Sequence, residues 1–548
     1  MKKGEIYEGM VERVEFPNKG FVKVEDRLAE VKGVIEGQKV SVRMKRVRKD
    51  RCQATLLEVL EPAPSENVKP QCPHFGFCGG CSYQTMSYDN QLQMKHQMVA
   101  KLMAPFVREG VVVDAPLASP SQWGYRNKME FSFGDEVKGG DLSLGMHKKN
   151  STYDIVNTSD CQIVHADFTT ILNATVAFFR AQKTPFYKKM QHIGVLRHLV
   201  VRRSFANGDI LVNLVVTTQG EVAVKEYTEC LLNLEQSGQL EGRIAGILLT
   251  KNDSLADTVQ SDETILLYGQ DYIEENILGL QFKISPFSFF QTNSKGAEVL
   301  YEKAREYVGE TKDKVIFDLY SGTGTIAQML APVAKKVIGV EIVAEAVEAA
   351  KENAKLNGLG NCEFIAGDVL KVIDEITEKP DMIVLDPPRD GLHPTALQKI
   401  MAYGVEQLVY ISCKPTSLAR DLALFEAGGY ELKRYGCVDM FPGTGHVETV
   451  ILLSRKTPDA IIEIDLEMSE LDLTRAESKA TYKEIEEYVQ NKYGLHVTNL
   501  YIAQVKREFG IIERINYNVG EGKNRVPKVT PEKREAIIDA LKYFQMIE

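Results

Sequence analysis

Between residues 291 and 455, short apolar runs alternate with amphipathic stretches, and this rhythm constrains the fold more than any other feature of the chain. "KVIFDLY", "KKVIGVE", "CEFIAGD", "DMIVLDPP" and "LVYISC" each read as a buried strand followed by a helical pattern. Strands joined by helical crossovers run parallel, so a doubly wound sheet covered on both faces is expected. "YELKRYGCVDM" and "HVETVILLSR" lie too close together for a helix between them. The sheet is therefore expected to finish on an antiparallel hairpin strand. In open sheets of this kind the ligand crevice lies at the carboxyl ends of the strands, so the strand tips are where chemistry belongs.

Four tips carry suggestive residues. "DLYSGTGTIA" (318–327) is a strand end, a glycine turn and a helix start, and Glu341 ends the next strand. The glycines let a ligand approach the backbone, while the carboxylate accepts hydrogen bonds from ribose hydroxyls. Gly322, Gly324 and Ala327 also fit a dinucleotide fingerprint, so this motif leaves NAD and S-adenosylmethionine equally open. "LDPPRDGLHP" (385–394) sets an acid, Asp386, and two prolines at the fourth tip as a rigid loop, which favours the sulfonium donor. Adenine-amino methyltransferases place an aromatic residue after a related Asp-Pro-Pro; here Arg389 follows. The fifth strand ends in Cys413. A thiolate there can add to C6 of a pyrimidine and make C5 nucleophilic toward a sulfonium methyl. A base must then remove the C5 proton, and Glu448 in "GHVETV", two residues after His446, opens the last strand.

A separate group, "CPHFGFCGGCSYQ", spaces Cys72, Cys78 and Cys81 by five and two residues, and Cys161 in "NTSDCQIVH" is the best fourth ligand. Four thiolates suit a four-iron cluster or zinc, and spacing leaves both open. Cys52, Cys230, Cys362 and Cys437 belong to no pattern and read as structural.

The flanks are less specific. Residues 1–60 alternate with period two between turns, as expected of a small closed OB-like barrel. Six of the eleven residues in "SVRMKRVRKDR" (41–51) are basic, a phosphate-contacting face or a solvated strand edge within a chain of net charge −10. Tyr125, Arg126 and Lys128 in "WGYRNKMEF" offer stacking and phosphate contacts, or form an ordinary core strand with exposed cations. Residues 457–472 hold six acids and no base and read as a tether, with three amphipathic helices after them. With no apolar run of membrane-spanning length and no signal-like N-terminus, a cytoplasmic protein without membrane partners is expected.

Taken in order, "CPHFGFCGGC", "SFFQTN", "DLYSGTG", Glu341, "DPPRDG", "SCKP" and "GHVET" resemble the S-adenosylmethionine-dependent RNA uracil-5-methyltransferases over residues 1–455. The resemblance is to the iron–sulfur, TRAM-containing type that acts on 23S rRNA. It implies a multidomain α/β fold: a TRAM-like barrel at 1–60, a central α+β region with the cysteine site at 61–290, and a Rossmann-like methyltransferase domain at 291–455. Residues 456–548, an acidic linker and helical extension, lie outside the resemblance and are given no role. The resemblance further implies S-adenosylmethionine contacts from Gln291, Tyr320, Glu341, Asp368 and Asp386, with Cys413 as nucleophile and Glu448 as proton acceptor. It also implies a [4Fe–4S] cluster on Cys72, Cys78, Cys81 and Cys161. Thr325 departs from the pattern, standing where some members carry Asn. The expected activity is 5-methyluridine formation by a monomer in structured RNA, 23S rRNA first. A tRNA substrate and a non-catalytic RNA-binding protein are the alternatives.

Overall fold

The computed structural model describes residues 1–48, 51–255, 262–456, 482–509 and 529–544. The acidic stretch 457–472 and two residues of the basic run, Lys49 and Asp50, lie outside them. The chain divides into two compact units, Met1–Thr457 and Pro458–Glu548.

The first unit opens with a closed five-stranded barrel. Its fourth strand, Lys39–Val47, shows why it closes: Val40, Val42 and Met44 are buried, while Arg43 and Lys45 face outward. A seven-stranded sheet follows, built mainly from antiparallel pairs. One parallel pair, Asp209–Val216 with Arg243–Lys251, is linked through the helix Val224–Gln236. Phe168, Ile171, Leu172 and Phe179 of the helix Ala166–Gln182 share its core with Tyr227 and Leu231.

The expected doubly wound sheet is present, with eight strands. Along the sheet run Cys362–Ala366, Ala334–Glu341, Thr311–Leu319, Met382–Leu385, Gln407–Ser412, Glu448–Arg455, Tyr430–Val438 and Val112–Val113. Glu448–Arg455 runs antiparallel to both neighbours, as the short connection demands. Met382–Leu385 is buried throughout because helices cover both faces. On the helix Pro415–Ala427, Leu418, Leu422 and Phe425 form the buried stripe, each contributing roughly 1.5–3 kcal/mol by leaving water. The edge pair Val112–Val113 comes from far upstream in the chain, and nothing in its local pattern announces it.

In the second unit, three helices, Tyr482–Tyr493, Asn499–Glu508 and Pro531–Tyr543, enclose Ile485, Val489, Ile502, Val505, Ile537 and Leu541. No helix among the described residues is long and apolar enough to cross a membrane.

Candidate active site

Gln291, Tyr320, Glu341, Asp368, Asp386, Cys413 and Glu448 all line one cleft at the carboxyl end of the parallel strands. Its volume, about 1390 Å³, exceeds the roughly 300–1,000 Å³ of an ordinary small-molecule pocket and leaves room for a nucleotide beside a cofactor.

The glycine turn builds one wall. Gly322 N–H donates to Glu341 Oε2 (3.0 Å) and Val343 N–H to Oε1 (2.9 Å), so the carboxylate at the second tip is fixed before any ligand arrives. Tyr320 is held at φ 69°, a left-handed conformation that costs a non-glycine residue roughly 1–3 kcal/mol. Two amides, of Tyr320 and Ser321, donate to the Val340 carbonyl and hold that bend. Asp368 accepts from Leu370 N–H (3.0 Å) and so caps a short helix at the third tip.

The Asp386–Gly391 loop is braced from the helix Pro415–Ala427. Ser417 Oγ donates to the Arg389 carbonyl (2.9 Å), Arg420 to the Asp390 carbonyl (2.7 Å), and buried Asp421 accepts from Leu392 N–H (2.8 Å). Gln291 enters from the opposite side, on a segment pinned by Asn127. That amide donates to the Gln291 carbonyl (3.0 Å) and Ser294 Oγ (2.7 Å).

Cys413 and Glu448 meet through strand register. Ser412 pairs with Thr449 across an antiparallel ladder, so one step further along both strands sets Cys413 opposite Glu448. Directly opposed residues project to the same side of a sheet. Burial pushes the Cys413 thiol up to about 11, with help from Glu448 and Asp386, while the Arg389 guanidinium within hydrogen-bonding reach opposes the rise. Glu448 is pushed up to about 8, by burial first and then by Asp386. Asp386, partly open to the cleft but ringed by protein, rises to about 7, and Asp318 beneath the glycine turn to about 8, both chiefly through burial. His446 is driven down to about 4 by burial, so it faces the cleft neutral.

Phe441 and Tyr301 carry no sequence signal, whereas Arg126 is one of the cations singled out in "WGYRNKMEF". Phe441 and Tyr301 line the cleft beside the predicted residues, as does Arg126, whereas Tyr125 is buried with its hydroxyl on the Pro442 carbonyl (3.0 Å). Tyr125 is a core side chain ahead of the strand Lys128–Asp135, so it is not placed to stack on a nucleotide, and neither reading of "WGYRNKMEF" holds whole, since Arg126 and Lys128 are half-buried.

Cys72, Cys78, Cys81 and Cys161 line a second, smaller hollow. Burial raises Cys161 up to about 12 and Cys81 to about 11, and the other thiols of the set add to both shifts. Four cysteine side chains lining one hollow make a donor set suited to a cation. Thr158 Oγ1, on a residue that also lines this hollow, is buried without a hydrogen-bond partner in the protein, and the Gln84 side chain hydrogen-bonds Cys81. Among the described residues no group of three or more His, Cys, Asp or Glu side chains is placed so as to hold a metal ion, the four cysteines included. Of the other cysteines, Cys52 and Cys437 are buried and Cys230 and Cys362 partly so.

A family model described as tRNA (Uracil-5-)-methyltransferase matches residues 87–456. A Clostridium acetobutylicum protein described as an uncharacterized RNA methyltransferase is 50% identical, over 83% of this chain and 99% of its own length. One of the same description from Caldanaerobacter subterraneus is 48% identical, over 83% of this chain and 100% of its own. Among solved structures, the Pyrococcus abyssi tRNA (uracil-54, C5)-methyltransferase in complex with S-adenosyl-L-homocysteine superposes with a TM-score of 0.65 at 26% identity. That match covers 82% of this chain and 99% of the other.

Proposed function

Since this chain belongs to the tRNA (uracil-5-)-methyltransferase family, we propose that it methylates C5 of a uracil in structured RNA, with Cys413 as nucleophile and Glu448 as proton acceptor. The observation that carries this reading is the ladder register that sets the thiol and the carboxyl opposite each other in one cleft.

S-adenosylmethionine supplies the methyl group and leaves as S-adenosylhomocysteine. The Cys413 thiol gives up its proton to solvent, its sulfur electron pair bonds to C6, and the C5=C6 electrons move to C5 and the adjoining carbonyl. Arg389 stabilises the thiolate as it forms. C5 then takes the methyl group. Glu448 accepts the C5 proton, the C5=C6 bond re-forms, and the C6–S bond breaks to return the thiolate. Glu341 meets the ribose, Asp386 and Gln291 face the reacting end, Tyr320 shapes the pocket, and Asp368 holds the adenine amine. A pyrimidine inside a duplex hides C5 and C6, so the base is flipped or unpaired when it enters.

For the substrate we favour 23S rRNA in the cytoplasm, bound by a monomer whose TRAM-type barrel holds flanking nucleotides through the outward cations of Lys39–Val47. A tRNA is the second reading, favoured by the match to the Pyrococcus abyssi enzyme. Cys72, Cys78, Cys81 and Cys161 would hold a [4Fe–4S] cluster that shapes the central region and takes no part in methyl transfer, which moves no net electron. Iron and acid-labile sulfide that vanish in Cys161→Ser are expected; stoichiometric zinc would overturn this assignment.

The decisive experiment maps 5-methyluridine by mass spectrometry in rRNA and tRNA from cells with the intact gene, without it, and with Cys413→Ala. One rRNA site should disappear in both altered strains. Loss from tRNA alone would select the second reading, and no loss with Cys413→Ala would leave only RNA binding.

A further inference from the structure

The hairpin that carries Glu448 turns through residues 439–447, and this loop is gripped from outside the catalytic sheet. Lys95, on the helix Tyr88–Met103, is 2% exposed, and its ammonium donates to Asp439 Oδ1 (2.7 Å) and to the Phe441 carbonyl (3.0 Å). Asp439 Oδ1 also accepts from Phe441 N–H (3.0 Å), so one ammonium closes the start of the loop upon itself. One turn earlier on the same helix, Gln91 Oε1 accepts from Gly443 N–H (2.9 Å). The loop's far side bears Phe441 and His446, whose rings meet edge-on and line the cleft with Glu448. Val438, beside Asp439, pairs directly with Glu448.

A buried lysine is costly. Burial outweighs the attraction of Asp439 and holds this ammonium below its ordinary range. Neutral residues could fill the space more cheaply. What Lys95 adds is geometry: a bond to the loop's first side chain and another to a backbone carbonyl two residues on, both behind the wall that encloses Glu448.

We propose that Lys95 is a positioning residue for the proton-removal step, holding the 439–447 loop so that Glu448 meets the C5 proton of the bound uracil. The inference rests on Glu448 being the proton acceptor. Lys95 is buried and does not line the cleft, so its loss is expected to leave the earlier steps intact. The C6–S and C5–methyl bonds still form. What stalls is removal of the C5 proton with expulsion of Cys413, and a methylated RNA–protein adduct accumulates.

The test uses the full chain with a methyl-labelled donor and a mixture of in-vitro transcribed 23S rRNA and tRNA. Lys95→Met is compared with Glu448→Gln and Cys413→Ala. Because Lys95→Met strands the Asp439 carboxylate in the interior, Lys95→Met/Asp439→Asn is included to preserve folding. In both Lys95 variants kcat is expected to fall at least about tenfold, with KM for RNA changed less than about twofold. A slow-migrating band carrying methyl label should appear, as with Glu448→Gln, and should be absent with Cys413→Ala. Lys95→Arg should restore part of kcat. Wild-type turnover, a rise in KM alone, or lost activity without labelled adduct in the folded double variant would each overturn the proposal. If Glu448→Gln itself builds no adduct, the assignment of the base fails and the positioning role falls with it.

Discussion

In its proposed role as proton acceptor, Glu448 has two requirements that conflict. To accept a proton it must be ionised, yet its buried place beside Asp386 holds the carboxyl up at about 8 against an ordinary 4.5. The sign of the stability effect follows. Below the ordinary value the folded and unfolded chains both carry the proton, and burial costs little. As pH climbs from there toward about 8, the unfolded chain releases the proton and the folded chain keeps it, so stability is lost; above that the loss is complete. Glu448→Gln removes the ionisation and should melt like the wild type near pH 4. Near pH 9 it should be more stable, by up to about 5 kcal/mol. Thermal unfolding of the ligand-free protein at the two pH values checks this, and equal differences at both would mean the carboxyl titrates normally. The catalytic counterpart is that turnover rises with pH through the same region. Stability traded for a reactive carboxyl is the usual cost of a working site.

The glycine turn shows what sequence conveys about an element and what it withholds. The pattern "SGTG" after an apolar strand marks a backbone that a ligand approaches, and Gly324 at φ 73° is the residue that needs it. The pattern does not reveal Phe364, whose ring would lie 2.5 Å from a Cβ added at Gly324. Gly324→Ala therefore meets both an unfavourable φ and a clash with a buried ring. A loss of roughly 1–3 kcal/mol in stability is expected, with a larger loss in affinity for S-adenosylhomocysteine. Calorimetric titration and melting temperature measure the two, and unchanged affinity would mean the turn does not cradle the ligand. The same division holds elsewhere. Period-two alternation made the barrel legible, and strand–helix alternation the parallel sheet, because both signals are local. The strand Val112–Val113 was not legible, since its partner Tyr430–Val438 is chosen by packing across hundreds of residues. Lys95 reads as an ordinary helix-surface lysine; its burial is decided by Asp439, 344 positions away. At the site, the tips of the parallel strands were readable because crevice position follows from topology, whereas Asn127, Tyr301 and Phe441 arrive from elements whose placement no local pattern encodes.

At the scale of the molecule, the two compact units carry separate cores, and everything assigned to methyl transfer lies in Met1–Thr457. The relatives point the same way, since 456 aligned residues take up 99% of the Clostridium acetobutylicum protein but 83% of this chain. The second unit is held by its own apolar set, Ile485, Val489, Ile502, Val505, Ile537 and Leu541, and by the ion pairs Lys492–Asp539 (2.7 Å) and Arg534–Glu508 (2.6 Å). The pairs are exposed and contribute little, so the apolar set has to supply most of the stability. Its described helices carry cations and acids in balance, which gives them no strong field for a phosphate backbone. Truncation after Thr457 should therefore leave the melting transition of the first unit and its kcat/KM for RNA within about twofold of the full chain, because no core or site residue is removed. The excised Pro458–Glu548 should show helical circular dichroism and unfold in a single transition of its own. A drop in kcat/KM beyond about tenfold, with the melting transition unchanged, would show instead that the second unit takes part in holding the substrate.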